Sequence, residues 1–262
     1  MNNKKDIQSE KDNRNLVINR VGVKNIFYPI IVEDRTNTQQ QTTGKLSLYV
    51  DLTSKERGTH MSRFLEVLNH YHKEDLITHL EEFLEKLRYS LGSRRSYATV
   101  DFPYFIEKIA PVTRIKSKLA YNCHFQASLE ESYKLVIGVT VPVTTLCPCS
   151  KEISDYGAHN QRSYVNIQVR MKEFIWLEEL IEIVESSASC EIYPLLKRPD
   201  EKYVTEKAYN NPRFAEDIVR EITLKLKSDN RIETFKVETL NQESIHNHEA
   251  YAGIWSENFI EI

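Results

Sequence analysis

The chain has 262 residues and carries 35 lysines and arginines against 38 acids, a formal net charge of −3. That balance creates no field favouring duplex nucleic acid or an anionic membrane, and the length suffices for one large domain or two small ones. Only 7 residues are glycine, and no G-x-G-x-x-G or Walker-type loop occurs, so side chains must hold any nucleotide that binds.

Residues 1–16 are polar and charged and read as a flexible arm, without the apolar core of a signal peptide. No later segment reaches the roughly 18 uninterrupted apolar residues of a membrane span. A cytoplasmic location is the expectation, with the four cysteines (Cys123, Cys147, Cys149 and Cys190) serving as thiols or metal ligands.

Val21 to Val32 reads as a first strand, and the Gln/Thr-rich stretch Glu33–Gly44 as a mobile loop. Leu46, Leu48 and Val50 then alternate with polar neighbours at the period of a half-buried strand. Phe64 and Leu68 open a helical region, and Leu76, Leu80, Phe83, Leu84 and Leu87 continue it on one face. Phe102–Ile109 and the alternating Leu119, Tyr121, Cys123 and Phe125 predict two more strands.

The second half repeats this order. Tyr133 to Val141 alternate as a strand, a polar loop runs from Thr144 to Gln161, and Val165 to Met171 form the next strand. Leu177, Leu180, Ile181 and Val184 predict one helix and Phe214, Ile218, Ile222 and Leu226 another, before a last strand pair from Phe235 to about Trp255. The charge runs Glu81–Lys86 and Glu178–Glu185 read as solvated helix faces. The expected architecture is α+β, with two tandem ββααββ-like modules, antiparallel sheets and helices on one face. The modules are expected at residues 17–128 and 129–262.

Metal-capable residues crowd the loop TTLCPCSKEISDYGAHNQRS. Pro148 biases Cys147 toward an extended conformation, and an extended C-P-C would point its two sulfurs to opposite faces. One thiolate could then bind a metal while the other faces elsewhere. His159 sits in a polar turn, Glu201 in a Pro- and charge-rich loop, and His246 and His248 stand two apart with Glu243 nearby. Strand alternation would put both imidazoles on one side, a common metal-ligand spacing and a common coincidence.

The phrases TTLCPCSKEIS, GAHNQRS, YPLLKRPDEKYVTE, NPRFAEDIVR and NQESIHNHEAYA, with the earlier RGTHMSRF, resemble the GTP cyclohydrolase IB family from about Val21 to the C-terminus. The resemblance implies a bimodular tunnelling fold whose subunits join as a homotetramer, with sheets forming a barrel around a tunnel and sites at subunit interfaces. It implies conversion of GTP and water to formate and 7,8-dihydroneopterin triphosphate, the first step of pterin and tetrahydrofolate synthesis. Cys147, His159 and Glu201 are then the implied metal ligands. Manganese is favoured, and zinc and iron(II) are usable with this mixed donor set.

The resemblance further implies a second functional thiol in Cys149 and a purine-holding carboxylate in Glu216, which can accept both N1–H and the 2-amino group of guanine. His246 and His248 become candidates for proton transfer, with Glu243 orienting one of them, although the same residues could complete the metal shell. His60 and Arg63 become candidate triphosphate contacts. The competing readings are a thiolate-dependent nitrile reductase on the same fold, a cyclohydrolase that stops at a cyclic phosphate, and a non-catalytic pterin- or metal-binding protein.

Overall fold

A computed structural model of the chain describes residues 7, 8, 10–71 and 76–259. Its first half contains β1 (Ile18–Asp34), β2 (Thr38–Leu52), α1 (Met61–Asn69), α2 (Leu80–Ser90), β3 (Ser96–Ile109) and β4 (Lys116–Leu129). The second contains β5 (Tyr133–Leu146), α3 (Pro148–Ile153), β6 (Asn160–Met171), α4 (Leu177–Glu185), β7 (Cys190–Glu191), α5 (Arg198–Asn210), α6 (Ala215–Ser228), β8 (Ile232–Gln242) and β9 (Ala250–Trp255). The expected strand–strand–helix–helix–strand–strand order is present in the first half. The second half inserts α3, β7 and α5 into it. Strands are hydrogen-bonded in the order β1-β2-β3-β4-β5-β6-β8-β9, and β7 pairs with β5.

The chain divides into two compact units, one from Met1–Phe102 with His124–Val136, the other from Pro103–Cys123 with Ile137–Glu261. In the first, β1 and β2 form a long antiparallel hairpin running out to the pair Asp34↔Thr38. The stretch expected as a mobile loop, Glu33–Gly44, is therefore mostly strand. Threonine suits a pleated surface, and the buried Asp34 carboxylate builds the turn by accepting from Thr36 N at 2.8 Å and Asn37 N at 2.7 Å. The arm is held by residues that follow β2: Arg57 N donates to Glu10 O at 2.9 Å and Gly58 N to Gln8 O at 3.1 Å. Residues 1–6 and 9 of the arm lie outside the described residues.

The alternation read in β2 is real: Leu46, Leu48 and Val50 are fully buried and pair with Val100, Ala98 and Ser96 of β3. Phe64 and Leu68 of α1 and Leu80, Phe83, Leu84 and Leu87 of α2 are buried in the same core. Burying each such side chain contributes about 1.5–3 kcal/mol. The buried Ser96 hydroxyl donates to Leu84 O at 2.8 Å and so binds α2 to β3.

In the second unit β6, β8 and β9 form an antiparallel ladder, with Ile167↔Val237 and Val169↔Phe235 as inward pairs. The buried stripes of α4 (Leu177, Leu180, Ile181 and Val184) and α6 (Ile218, Val219, Ile222 and Leu226) belong to this unit's core. The expectation that Glu178–Glu185 is a solvated face is wrong. Glu178 is buried and accepts from Tyr104 Oη at 2.6 Å, while Glu185 accepts from Tyr121 Oη at 2.7 Å and Lys108 Nζ at 2.6 Å. Positions 178, 181 and 185 fall on the buried helical stripe, where strand tyrosines and a lysine compensate the desolvated carboxylates.

A second buried cluster surrounds Glu191, which accepts from Tyr193 Oη at 2.6 Å and pairs with Lys207 of α5. Burial opposes its ionisation, yet the Lys207 ammonium and the Tyr193 hydroxyl hold it at about 2 against an ordinary 4.5. Among the described residues, no helix is long and apolar enough to cross a membrane.

Two predictions follow from these contacts. A Cβ on Gly22 would lie 1.9 Å from Leu48 O, so Gly22→Ala should forfeit about 1–3 kcal/mol in urea unfolding, from forced strand displacement. Because folding depresses the Glu191 pKa, its stabilising contribution is complete above about pH 4.5 and is lost as pH falls toward 2. Glu191→Gln should accordingly flatten the fall in melting temperature across that acid range.

Candidate active site

The site is built around the end of β5. Leu146, its last residue, donates its backbone N–H to Ser189 Oγ at 3.1 Å, and its carbonyl accepts from Arg213 N at 3.0 Å. Asn211 Nδ2 reaches Ala188 O at 2.9 Å, tying the same two segments together. The entry to α6 is thereby fixed one residue before Cys147, and Glu216 stands exposed in the first turn of that helix.

Cys147 does not open an extended C-P-C. It is the N-cap of α3, with φ −66° and ψ 120°, and its Sγ accepts from Ser150 N at 3.4 Å. Pro148 restricts only the residue before it, while its own φ and missing N–H suit the first helical position. Cys149 is consequently inside a helical turn and exposed, whereas Cys147 is half-buried.

The loop then returns to its start. Cys147 N donates to His159 O at 3.1 Å, and Ser150 Oγ accepts from His159 N while donating to Cys147 O, both at 3.2 Å. Gly157, at φ 133°, supplies a backbone conformation that side-chain-bearing residues rarely adopt. Lys151 anchors the other side of α3: its Nζ donates to Tyr209 O at 2.5 Å and lies 4.3 Å from that residue's ring centroid.

His159 Nδ1 faces Gln161 Oε1 at 3.1 Å and Ser244 Oγ at 3.5 Å. A carboxamide oxygen there places the proton on Nδ1 and leaves the Nε2 lone pair for a ligand. Ser244 also brings the 243–249 segment against His159. His246 and His248 belong to this segment, between the end of β8 at Gln242 and the start of β9 at Ala250, and not to a strand. Their exposed rings stack at 4.9 Å and 15°, so ring contact, not strand alternation, puts them together. Glu243, half-buried, precedes them.

Glu201 is likewise not in a loop. Pro199 reads as a helix breaker, but it occupies the first turn of α5, where a proline is tolerated, and Glu201 N donates to Lys197 O at 2.9 Å. Its carboxylate is exposed and shares a helical stripe with Val204, Thr205 and Ala208. Those three line a cleft of about 240 Å³ together with Thr144, Asn160, Arg162 and Tyr193. Asn160, the first residue of β6, follows His159 directly, so the cleft runs between β6 and α5, and its lining includes neither His159 nor Glu201 themselves. Burial, with Glu191 beside it, pushes the Cys190 thiol in the cleft wall up to about 12.

Thus Cys147, His159 and the 243–248 segment come together, with the entry to α6 tied to the same framework through Leu146, while the start of α5 is held elsewhere, on the turn at Val112 and Thr113. Among the described residues, no group of three or more His, Cys, Asp and Glu side chains is already assembled for a metal ion. His60 and Arg63 belong to the other unit. His60 is the N-cap of α1, and Arg63 Nη1 donates to Ser90 O at 3.1 Å at the end of α2. The residues that sequence reasoning missed are the supports Ser150, Gln161, Ser189, Asp200 and Ser244. Of these, all but Ser189 stand inside the quoted phrases, close in sequence to the candidate site residues.

Ser150→Ala removes the two side-chain bonds that close the loop and leaves the backbone bond from Cys147 N to His159 O. It should cost about 0.5–1.5 kcal/mol per bond locally and speed hydrogen exchange at the His159 amide by a matching factor of about 3–10, leaving β6 protected.

The family model described as type I GTP cyclohydrolase folE2 matches residues 5–252. A relative from Kosmotoga olearia named GTP cyclohydrolase FolE2 is 53% identical over 250 residues, 95% of this chain and 97% of the relative. One of the same name from Citrifermentans bemidjiense is 53% identical over 249 residues, 95% and 93% of the two chains. In three dimensions the chain is similar to the uricase from Arthrobacter globiformis, with TM-score 0.53 and 8% identity over 93% of this chain and 96% of that one. At that identity the likeness shows the fold alone, which is the tunnelling fold. The motif loop, the strand order around it and a family match spanning nearly the whole chain agree, and the chain belongs to the type I GTP cyclohydrolase FolE2 family.

Proposed function

We propose that this chain is a metal-dependent GTP cyclohydrolase I of type IB, converting GTP and water to formate and 7,8-dihydroneopterin triphosphate in pterin and folate synthesis. Family membership supports the reaction, and the observation that carries the site is the pairing of Cys147 with His159 across the Ser150 bridge. The hydrolysis adds water at C8 of the guanine, opens the imidazole ring and releases C8 as formate by a second addition of water. Ribose rearrangement and ring closure then expel one water.

The donor set Cys147, His159 and Glu201 fits a divalent ion. The thiol is half-buried, His159 Nε2 has no protein partner among the described residues, and the Glu201 carboxylate is exposed on the adjoining helix. Manganese is favoured, with zinc and iron(II) accepted by the same ligands. An ion bound there supplies Lewis acidity and lowers the pKa of water from 15.7 to about 7.

The chain's own residues do the rest. Glu216, exposed at the start of α6, accepts N1–H and the 2-amino group of guanine as a bidentate acceptor and orients C8. His246 and His248 carry protons to and from the opening ring, with Glu243 orienting one of them. Cys149 offers a second thiol beside the reacting carbon, and His60 and Arg63 take the triphosphate. Among the described residues β1 and β9 are the edge strands of the order, a place where a second chain can pair, which supports a homotetramer with sites at subunit interfaces. The four unpaired thiols suit the cytoplasm.

Chelator-treated protein given GTP with manganese, zinc, anaerobic iron(II) or no metal should release formate and, after oxidation, fluorescent neopterin only when metal is present. Cys147→Ala and His159→Ala should fall to background in the same assay. Folded protein that makes neither product with any metal would overturn the reading.

A further inference from the structure

Three helices of the second unit begin alike, with an acid at the third position accepting the N-cap backbone N–H: Glu179 in α4, Asp200 in α5 and Asp217 in α6. Asp217 accepts from Phe214 N at 3.0 Å and lies 3.9 Å from the Arg220 guanidinium on its own helix, and Glu179 accepts from Trp176 N at 2.9 Å and from the guanidinium of Arg231. Asp200 differs. It is fully buried, and besides Lys197 N at 3.0 Å it accepts from Val112 N at 2.8 Å, Thr113 N at 2.9 Å and Thr113 Oγ1 at 2.6 Å.

A cap needs only the first of these bonds. The other three fasten the first turn of α5 to the turn between β3 and β4, which Arg114 completes in the left-handed region at φ 60°. The residue so immobilised is the neighbour of Glu201. The Glu201 carboxylate has no hydrogen-bond or ion-pair partner among the described residues, so nothing at its own end restricts its rotamers. Only the position of its backbone decides where it can reach.

We propose that Asp200 is the positioning residue for Glu201, locking the first turn of α5 to the β3–β4 turn so that the carboxylate is presented at one height and direction toward the Cys147–His159 pair. This inference rests on reading Cys147, His159 and Glu201 as metal ligands. Removing a group that orients a ligand typically lowers metal affinity 10–100-fold. The far end of α5 is held separately, by Lys207 on Glu191. Loss of that contact therefore reports on stability without moving Glu201.

The test compares Asp200→Asn, Thr113→Val, Lys207→Met and Glu201→Gln in the full-length protein. The manganese dissociation constant is measured by competition with a fluorescent chelator, at a temperature where circular dichroism shows each variant folded. Metal-free melting temperatures are recorded beside it. Asp200→Asn should weaken manganese binding about 10-fold or more and Thr113→Val by a smaller factor. Lys207→Met should lower the melting temperature with affinity unchanged. Should Asp200→Asn not fold, Thr113→Val, which removes one bond of the four, carries the comparison. Unchanged affinity in the folded Asp200 or Thr113 variants, with Glu201→Gln weakened, overturns the positioning role and leaves the ligand set standing. Unchanged affinity in Glu201→Gln overturns the ligand reading and the proposal with it.

Discussion

Both backbone groups of Leu146 are satisfied by parts of the chain far from it in sequence, the Ser189 hydroxyl on one side and the Arg213 amide on the other. A buried peptide group left unpaired would cost about as much as a lost hydrogen bond, so these two contacts fix where β5 must stop. From that point the Cys147–His159 pair and the entry to α6 are placed. Cys147 is the next residue, α3 starts on it, the loop closes back onto it through His159, and α6 begins where Arg213 is held. Candidate site residues drawn from several segments need such an anchor, because each segment alone could shift by more than the tolerance of a binding geometry.

The buried charges serve the same end. Glu185 with Lys108 and Tyr121, Glu191 with Lys207 and Tyr193, and Asp200 with the β3–β4 turn each join a helix or its flanking segment to a strand or turn. Desolvating an acid is costly, and these interactions are weak arguments for stability alone. Their directionality is the gain. Apolar contact leaves a helix free to slide by a fraction of a turn, whereas a carboxylate with several donors does not. The two clusters on α5 hold that helix near both ends along the cleft whose stripe includes Glu201.

Burial is a matter of periodicity, and periodicity is local. The alternation of Leu46, Leu48 and Val50 and the helical spacing of Leu80, Phe83, Leu84 and Leu87 therefore announced their elements and core faces correctly. The failures share a different cause. Glu33–Gly44 is polar on both faces of its hairpin, so no alternation betrays it. Residues 198–210 contain a proline and little apolar surface, and the contacts that hold them as a helix, the cap at Asp200 and the Lys207 anchor, carry no periodic signal. Glu178 and Glu185 carry charge like any solvated face, and their partners stand on strands more than sixty residues away.

The sequence by itself determined the chemistry available: a thiol, imidazoles and carboxylates in phrases particular enough to identify the family. Side-chain type and local spacing are written in the chain and do not depend on context. Tertiary structure alone decided how those groups are presented. It set Cys147, itself extended, as the cap of a helix instead of the start of an extended C-P-C, the tautomer Gln161 imposes on His159, and the stacking of His246 on His248 outside any strand. Orientation depends on hydrogen bonds between residues distant in sequence, and such bonds exist only once the strands and helices have packed.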